Sequence, residues 1–196
     1  MKILLMLCRY YEAPPGLQYL HCLKNTVNGG ESLFLDSYKA VSLFKKTYPE
    51  DYKVLTKIPV TFHYQNDLRI RKFRHLTIEE CPGSDDPLNV YYSPPFAGPL
   101  ECNPSDMVAF YKGMSKFEEI LRDESLLYKR RLHPGDCVIF ANRRVLHGRT
   151  AFDSKSGERH FRGSYTDWDD FRDLYLTTTM TTSTITIANI NANSVE

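Results

Sequence analysis

Several things are scarce in this sequence, and each scarcity removes a class of protein. No apolar run is long enough to cross a bilayer, so no membrane-spanning helix is expected. Charge of one sign is not in excess: 25 Lys and Arg stand against 24 Asp and Glu, a formal net charge of +1. A nucleic-acid partner calls for a basic face, and here the arginines are scattered or sit beside acids, so that partner class is excluded. There is no CxxC pair. The five cysteines, Cys8, Cys22, Cys81, Cys102 and Cys137, are odd in number and irregularly spaced. Reduced thiols in an intracellular protein suit that pattern better than a disulfide framework or a zinc site. The start, "MKILLMLCRYY", imitates a signal peptide but is short and lacks a small-residue cleavage pattern, so secretion is not expected. No segment repeats.

What is present reads as one soluble domain. Its 196 residues are 42% apolar and 25% charged, enough for a substantial core. "LQYLHCL" (17–23) and "SLFLD" (32–36) flank the Asn- and Gly-rich turn "NTVNGGE", and 17–36 is read as a strand–turn–strand unit. From Ser37 the period changes: Tyr38, Val41, Phe44 and Lys45 share a helical face that ends near Tyr48-Pro49, and a second short helix covers 49–56. Strands are expected at 73–80 and 88–92, and the prolines at 94, 95 and 99 make a rigid irregular link. Ser105-Asp106 caps a helix whose face carries Met107, Phe110, Tyr111, Met114, Phe117 and Leu121. Strands return at 126–132, after the "HPGD" turn at 137–142, and at 159–165. From Thr177 the chain turns Thr/Asn-rich and almost uncharged, and 177–196 is expected to be a disordered tail.

One stretch does not read as core alone. In "GDCVIFANRRVLHGRTAF" a strand ends at His147, where an apolar residue is expected. Taken singly, a histidine there is a half-buried imidazole bonded to backbone. Its setting argues for more: a Pro-Gly-Asp turn launches the strand, Gly148 permits a sharp turn after the histidine, and Arg159-His160 opens the next strand.

The run "HPGDCVIFANRRVLHGR…GERHFRGSYTDWDD", with "YYEAPPGLQYLHCL" and "GGES" upstream in the same order, resembles the TauD/TfdA-like Fe(II)/2-oxoglutarate dioxygenases. Within them it is most similar to the carnitine-biosynthesis branch, the γ-butyrobetaine and trimethyllysine dioxygenases. The likeness extends from about Tyr10 to about Leu176, so residues 1–176 are assigned to the domain. It implies a mainly β fold with helical insertions, a double-stranded β-helix (jelly-roll) core, incomplete at its N-terminal side. It also implies Fe(II) and 2-oxoglutarate as cofactor and cosubstrate, with ascorbate as a further helper, and hydroxylation of a trimethylammonium substrate such as γ-butyrobetaine, trimethyllysine being the alternative. His147 matches the distal histidine of the iron triad. Arg159 matches the arginine that grips the far carboxylate of 2-oxoglutarate, a task suited to a planar guanidinium. Ser32 falls where a hydroxyl donates to the same carboxylate. Tyr165 matches an aromatic position of the substrate pocket, where a ring face receives a quaternary ammonium. Trp168 is read as core packing. The branch implies a cytoplasmic or a mitochondrial location and a possible homodimer.

The likeness fails at one place. Relatives carry the other two iron ligands as His-x-Asp just upstream of the segment matching "YYEAPPG", and counting back from Tyr10 puts that motif at Leu5-Met6-Leu7. Leucine has no donor atom for a divalent cation. Two readings therefore stand: a dioxygenase of the carnitine type, or a catalytically inactive fragment that serves as a binding or dimer-forming module. The apolar start "ILLML" is also suited to fill a vacant strand position beside 17–23, keeping the fold while the chemistry is lost.

Overall fold

The computed structural model describes residues 3–5 and 10–179. In chain order, β1 (Ile3–Leu5), β2 (Leu17–Asn25), β3 (Asn28–Gly29) and β4 (Ser32–Asp36) lead into helices α1 (Ser37–Thr47) and α2 (Pro49–Leu55). A hairpin of β5 (Pro59–Gln65) and β6 (Ile70–Leu76) follows, then the short pair β7 (Ile78–Glu80) and β8 (Pro87–Val90), then the long helix α3 (Pro104–Leu121). The strands β9 (Leu127–Arg130), β10 (Cys137–Ala141), β11 (Val145–Arg149), β12 (Phe152–Asp153) and β13 (Arg159–Thr166) complete the sheets. A last helix, α4, occupies 168–179 and so carries through the first three residues of the Thr-rich segment; 180–196 lie outside the described residues.

Local chemistry accounts for the boundaries. The Asp36 carboxylate accepts the Tyr38 N–H at 3.1 Å and caps α1. Pro49 and Pro104 open α2 and α3, where a missing N–H breaks no helical hydrogen bond. Gly29 and Gly30 take φ values of 80° and 72°, which let the connection between β2 and β4 reverse.

That connection does not close a hairpin. The larger sheet runs β1-β11-β4-β9 and the smaller β10-β2-β13, every pair antiparallel. The strand–turn–strand reading of 17–36 is thus corrected: the turn carries the chain from one sheet to the other. Alternation marks a strand but not its neighbour. β11 also runs straight through Gly148, which stands between Leu4 and Leu33, so the sharp turn expected there does not occur.

β1 lies against β11, with Leu5 opposite His147. The apolar start thus forms a strand over 3–5, but beside β11 rather than beside 17–23; Met6 and Leu7 lie outside the described residues.

Helices cover one face of the larger sheet. Leu35 and Leu146 meet Val41, Phe44, Leu55, Phe110 and Phe117 there in a continuous core. The Lys116 ammonium, 2.5 Å from Asp51, ties α3 to α2. The other face meets the smaller sheet through Phe34 and Phe140, whose ring centroids are 5.5 Å apart.

Candidate functional site

Strand geometry decides which side chains enter the space between the sheets. Directly opposed residues of an antiparallel ladder share a face. In the β11–β4 ladder the opposed pairs are His147 with Phe34 and Arg149 with Ser32, so these four look toward the smaller sheet. Gln18 of β2 stands opposite both Phe140 and Tyr165, and its Nε2 lies 3.5 Å from His147 Nε2. Phe140 packs against the same imidazole at 5.0 Å between centroids. The larger sheet therefore contributes His147 and Ser32 to this cleft, and the smaller sheet contributes Tyr165 and Arg159. Along β13, Tyr165 stands opposite Gln18, the neighbour of His147, whereas Arg159 stands six residues away at the other end, opposite Asn25. Trp168 instead covers Gly16, where a Cβ would stand 2.5 Å from its ring.

Arg159 carries the main charge. Its guanidinium carbon is 4.0 Å from the Phe161 ring centroid and 5.7 Å from that of Phe152. Its Nε is buried with no hydrogen-bond partner, and no carboxylate pairs with it among the described residues. Burial lowers its pKa, and the like charge of Arg149 lowers it further. Guanidinium groups remain protonated under such shifts, so a positive charge stands half-buried without a counter-ion. Ser32 is buried, and Arg149 and Arg130 flank it on the neighbouring strands. Nearby, Arg131 is fully engaged: it donates to the carbonyls of Asn25, Val27 and Gly29 at 2.7–3.0 Å and pins the loop before β4.

A carboxylate fits these residues. The cleft offers a guanidinium with open donors, a neighbouring hydroxyl and no competing acid. The described residues offer no ligand set for an iron ion. Among the described residues no three His, Cys, Asp or Glu side chains converge. The backbone position opposite His147 belongs to Leu5, a residue with no donor.

The sequence reading passed over Arg149, Phe152 and Gln18. Arg149 was legible: two residues beyond His147 on a strand, it shares the histidine's face. Gln18 and Phe152 were not, because only the pairing of strands distant in sequence brings them here. A separate apolar cavity of about 160 Å³, lined by Val60, Phe62, Phe110 and Met114 among others, lies in the helical half and holds none of these residues.

Residues 7–165 match the family described as "Taurine catabolism dioxygenase TauD, TfdA family". The chain belongs to the TauD/TfdA family. Among curated relatives, the dioxygenase str8 of Strobilurus tenacellus is 36% identical over 172 residues, covering 84% of this chain and 40% of the relative. The gamma-butyrobetaine dioxygenase of Pseudomonas sp. (strain AK-1) is 34% identical over 160 residues, covering 81% of this chain and 41% of its own length. The chain thus spans about two fifths of these TauD/TfdA relatives. The crystal structure of AAD-2 in complex with Mn(II) and N-oxalylglycine superposes with a TM-score of 0.64 at 14% identity, over 84% of this chain and 68% of that one. That likeness carries the β-rich fold of the family. No helix among the described residues is long and apolar enough to cross a membrane.

Proposed function

We propose that the cleft is the cosubstrate and substrate site of a carnitine-type dioxygenase fold, kept in a chain that does not complete the iron centre. On this reading the two sheets are the walls of a jelly roll. Arg159 and Ser32 hold the far carboxylate of 2-oxoglutarate, and Tyr165 receives the trimethylammonium group of γ-butyrobetaine, with trimethyllysine as the alternative substrate. His147 is the remaining member of the iron triad. The reaction the resemblance implies is hydroxylation of that substrate coupled to decarboxylation of 2-oxoglutarate. It requires donors that Leu5 and Leu7 do not supply, so binding without oxidation is the function assigned to this chain.

The observation that carries the reading is the half-buried, acid-free guanidinium of Arg159 in the same cleft as the buried Ser32. A charge left in that state is stabilised by an anion of matching shape, and a carboxylate meets a guanidinium through two parallel hydrogen bonds.

Calorimetric titration of the purified chain with 2-oxoglutarate, followed by anaerobic Fe(II) titration, tests the proposal. Heat of binding is expected from the first. The second should show no visible metal-to-ligand charge-transfer band. A folded chain that takes up no 2-oxoglutarate overturns the reading of Arg159 and Ser32. A band that disappears in His147→Ala overturns the assignment of binding without oxidation.

A further inference from the structure

We propose that Arg149 is a second guanidinium of this cleft and that, with Arg159, it allows the chain to bind a dicarboxylate of the 2-oxoglutarate class with no metal present. The proposal rests on the reading of Arg159 and Ser32 given above and extends it to a residue and a selectivity that the reading does not contain.

The geometry points to Arg149 in three ways. It stands directly opposite Ser32 in the β11–β4 ladder, and so on the face that lines the cleft. Its guanidinium carbon lies 4.4 Å from the centroid of Phe152, the ring that Arg159 also approaches, at 5.7 Å. The ring gives each cation a π face and lets two like charges occupy one neighbourhood. Finally, Arg149 has no acid to answer it. Its one hydrogen bond among the described residues is a long one, 3.4 Å, to the carbonyl of the adjacent Thr150.

The surroundings of Ser32 sharpen the point. Its other ladder neighbour is Arg130, also without an ion pair among the described residues. One buried hydroxyl thus has an arginine on each side within its own sheet, while Arg159 approaches from the opposite sheet. Other arginines are answered: Arg144 forks onto Asp36 at 2.9 and 2.7 Å, Arg122 pairs with Glu118, and Arg131 is spent on three carbonyls.

The chemical consequence concerns charge number. A monocarboxylate needs one guanidinium, and Arg159 with Ser32 supplies its site. A dicarboxylate brings a second charge that must also be compensated as it leaves water. Leu5, opposite His147, provides nothing for it, and among the described residues no ligand set could hold a divalent cation there. Arg149 supplies the missing charge. An anion placed between the two arginines also removes their mutual repulsion, so affinity should rise with ligand charge more steeply than one guanidinium allows. Arg130, fully solvent-exposed, adds to the potential that draws anions toward the opening.

The test is isothermal titration calorimetry on the full chain in EDTA, with 2-oxoglutarate and with 4-oxopentanoate, which keeps the far carboxylate and carries a methyl group in place of the one beside the keto carbon. The wild-type chain is expected to prefer the dianion by about tenfold or more. Arg149→Ala should weaken 2-oxoglutarate about 10-fold and change 4-oxopentanoate much less, so that the preference collapses. Arg149→Lys should restore most of the preference, because it returns the charge without the fork. Circular dichroism and thermal melting of each variant establish that the chain remains folded, as expected for an exposed side chain. If Arg149→Ala leaves the ratio of the two affinities unchanged while Arg159→Ala abolishes binding, Arg149 has no part and the proposal falls, with the reading of Arg159 intact. If 2-oxoglutarate binds only after Fe(II) is added, the metal-free claim is overturned. If neither ligand binds to folded protein, both readings fail together.

Discussion

On the helix side of β4 and β11, Leu35 and Leu146 are at most 1% exposed, locked among the side chains of α1, α2 and α3. On the other side of the same two strands, toward the smaller sheet, stand the buried Ser32 and His147 and the exposed Arg149, all polar or charged. The backbone is shared, and only the parity of the residue number differs. Each face can therefore be altered without the other. A change on the cleft side leaves in place the contacts that hold the sheet to its helices.

Substitutions chosen from the two faces should separate cleanly. The largest effect is expected from the helix side: Leu146→Ala opens a cavity in a fully buried site and should cost about 2–5 kcal/mol in urea denaturation. On the cleft side, Arg159→Ala should weaken 2-oxoglutarate by at least about 30-fold in calorimetry while the melting temperature holds or rises, because an uncompensated buried charge is removed. A melting temperature that fell as far as that of Leu146→Ala would break the division between the faces. Tyr165→Ala should weaken γ-butyrobetaine about 3–10-fold, the range of a cation–π contact at a partly exposed ring; an unchanged affinity would remove Tyr165 from the substrate site.

The smallest effect belongs to the seam between the faces. Asp36 caps α1 and forks with Arg144, and that hydrogen-bonded guanidinium holds its carboxyl below the usual carboxylate range. A depressed folded-state pKa means that the stabilisation is complete above the unfolded carboxylate value, near pH 4, and is lost as pH falls through the lower folded value. The pair is half exposed, so solvent limits its worth to about 1 kcal/mol. Asp36→Ala should remove about that much at pH 7 and nothing at pH 2, as read from paired denaturation curves.

The elements that local pattern could reveal were legible. α1, α2 and α3 follow from apolar spacing, with Phe110, Phe117 and Leu121 buried as the period requires, although Tyr111 on the same expected face is largely exposed. The final strands follow from alternation and from the Pro-Gly-Asp turn. The β5–β6 hairpin escaped because "PVTFHYQ" mixes apolar and polar residues without a strong turn dipeptide after it, and the single strand expected at 73–80 is split at Thr77 into β6 and β7. Within the cleft, His147, Ser32, Arg159 and Tyr165 came from ordered resemblance. Phe152 and Gln18 depend on which strands become neighbours, and that is a property of the whole chain.

The sheet order also sets the order in which the protein can be made. Gln18 and His147 touch across the cleft although 129 positions separate them in the chain. Among the described residues β2 pairs with β10 and β13, so it emerges from the ribosome long before either neighbour exists. The α1–α2–α3 half, complete by Leu121, can assemble in the meantime, while β2 and β4 wait with open edges. The cleft walls are therefore the last part of the molecule to close, and synthesis arrested before Thr166 leaves β2 without its full complement of partners.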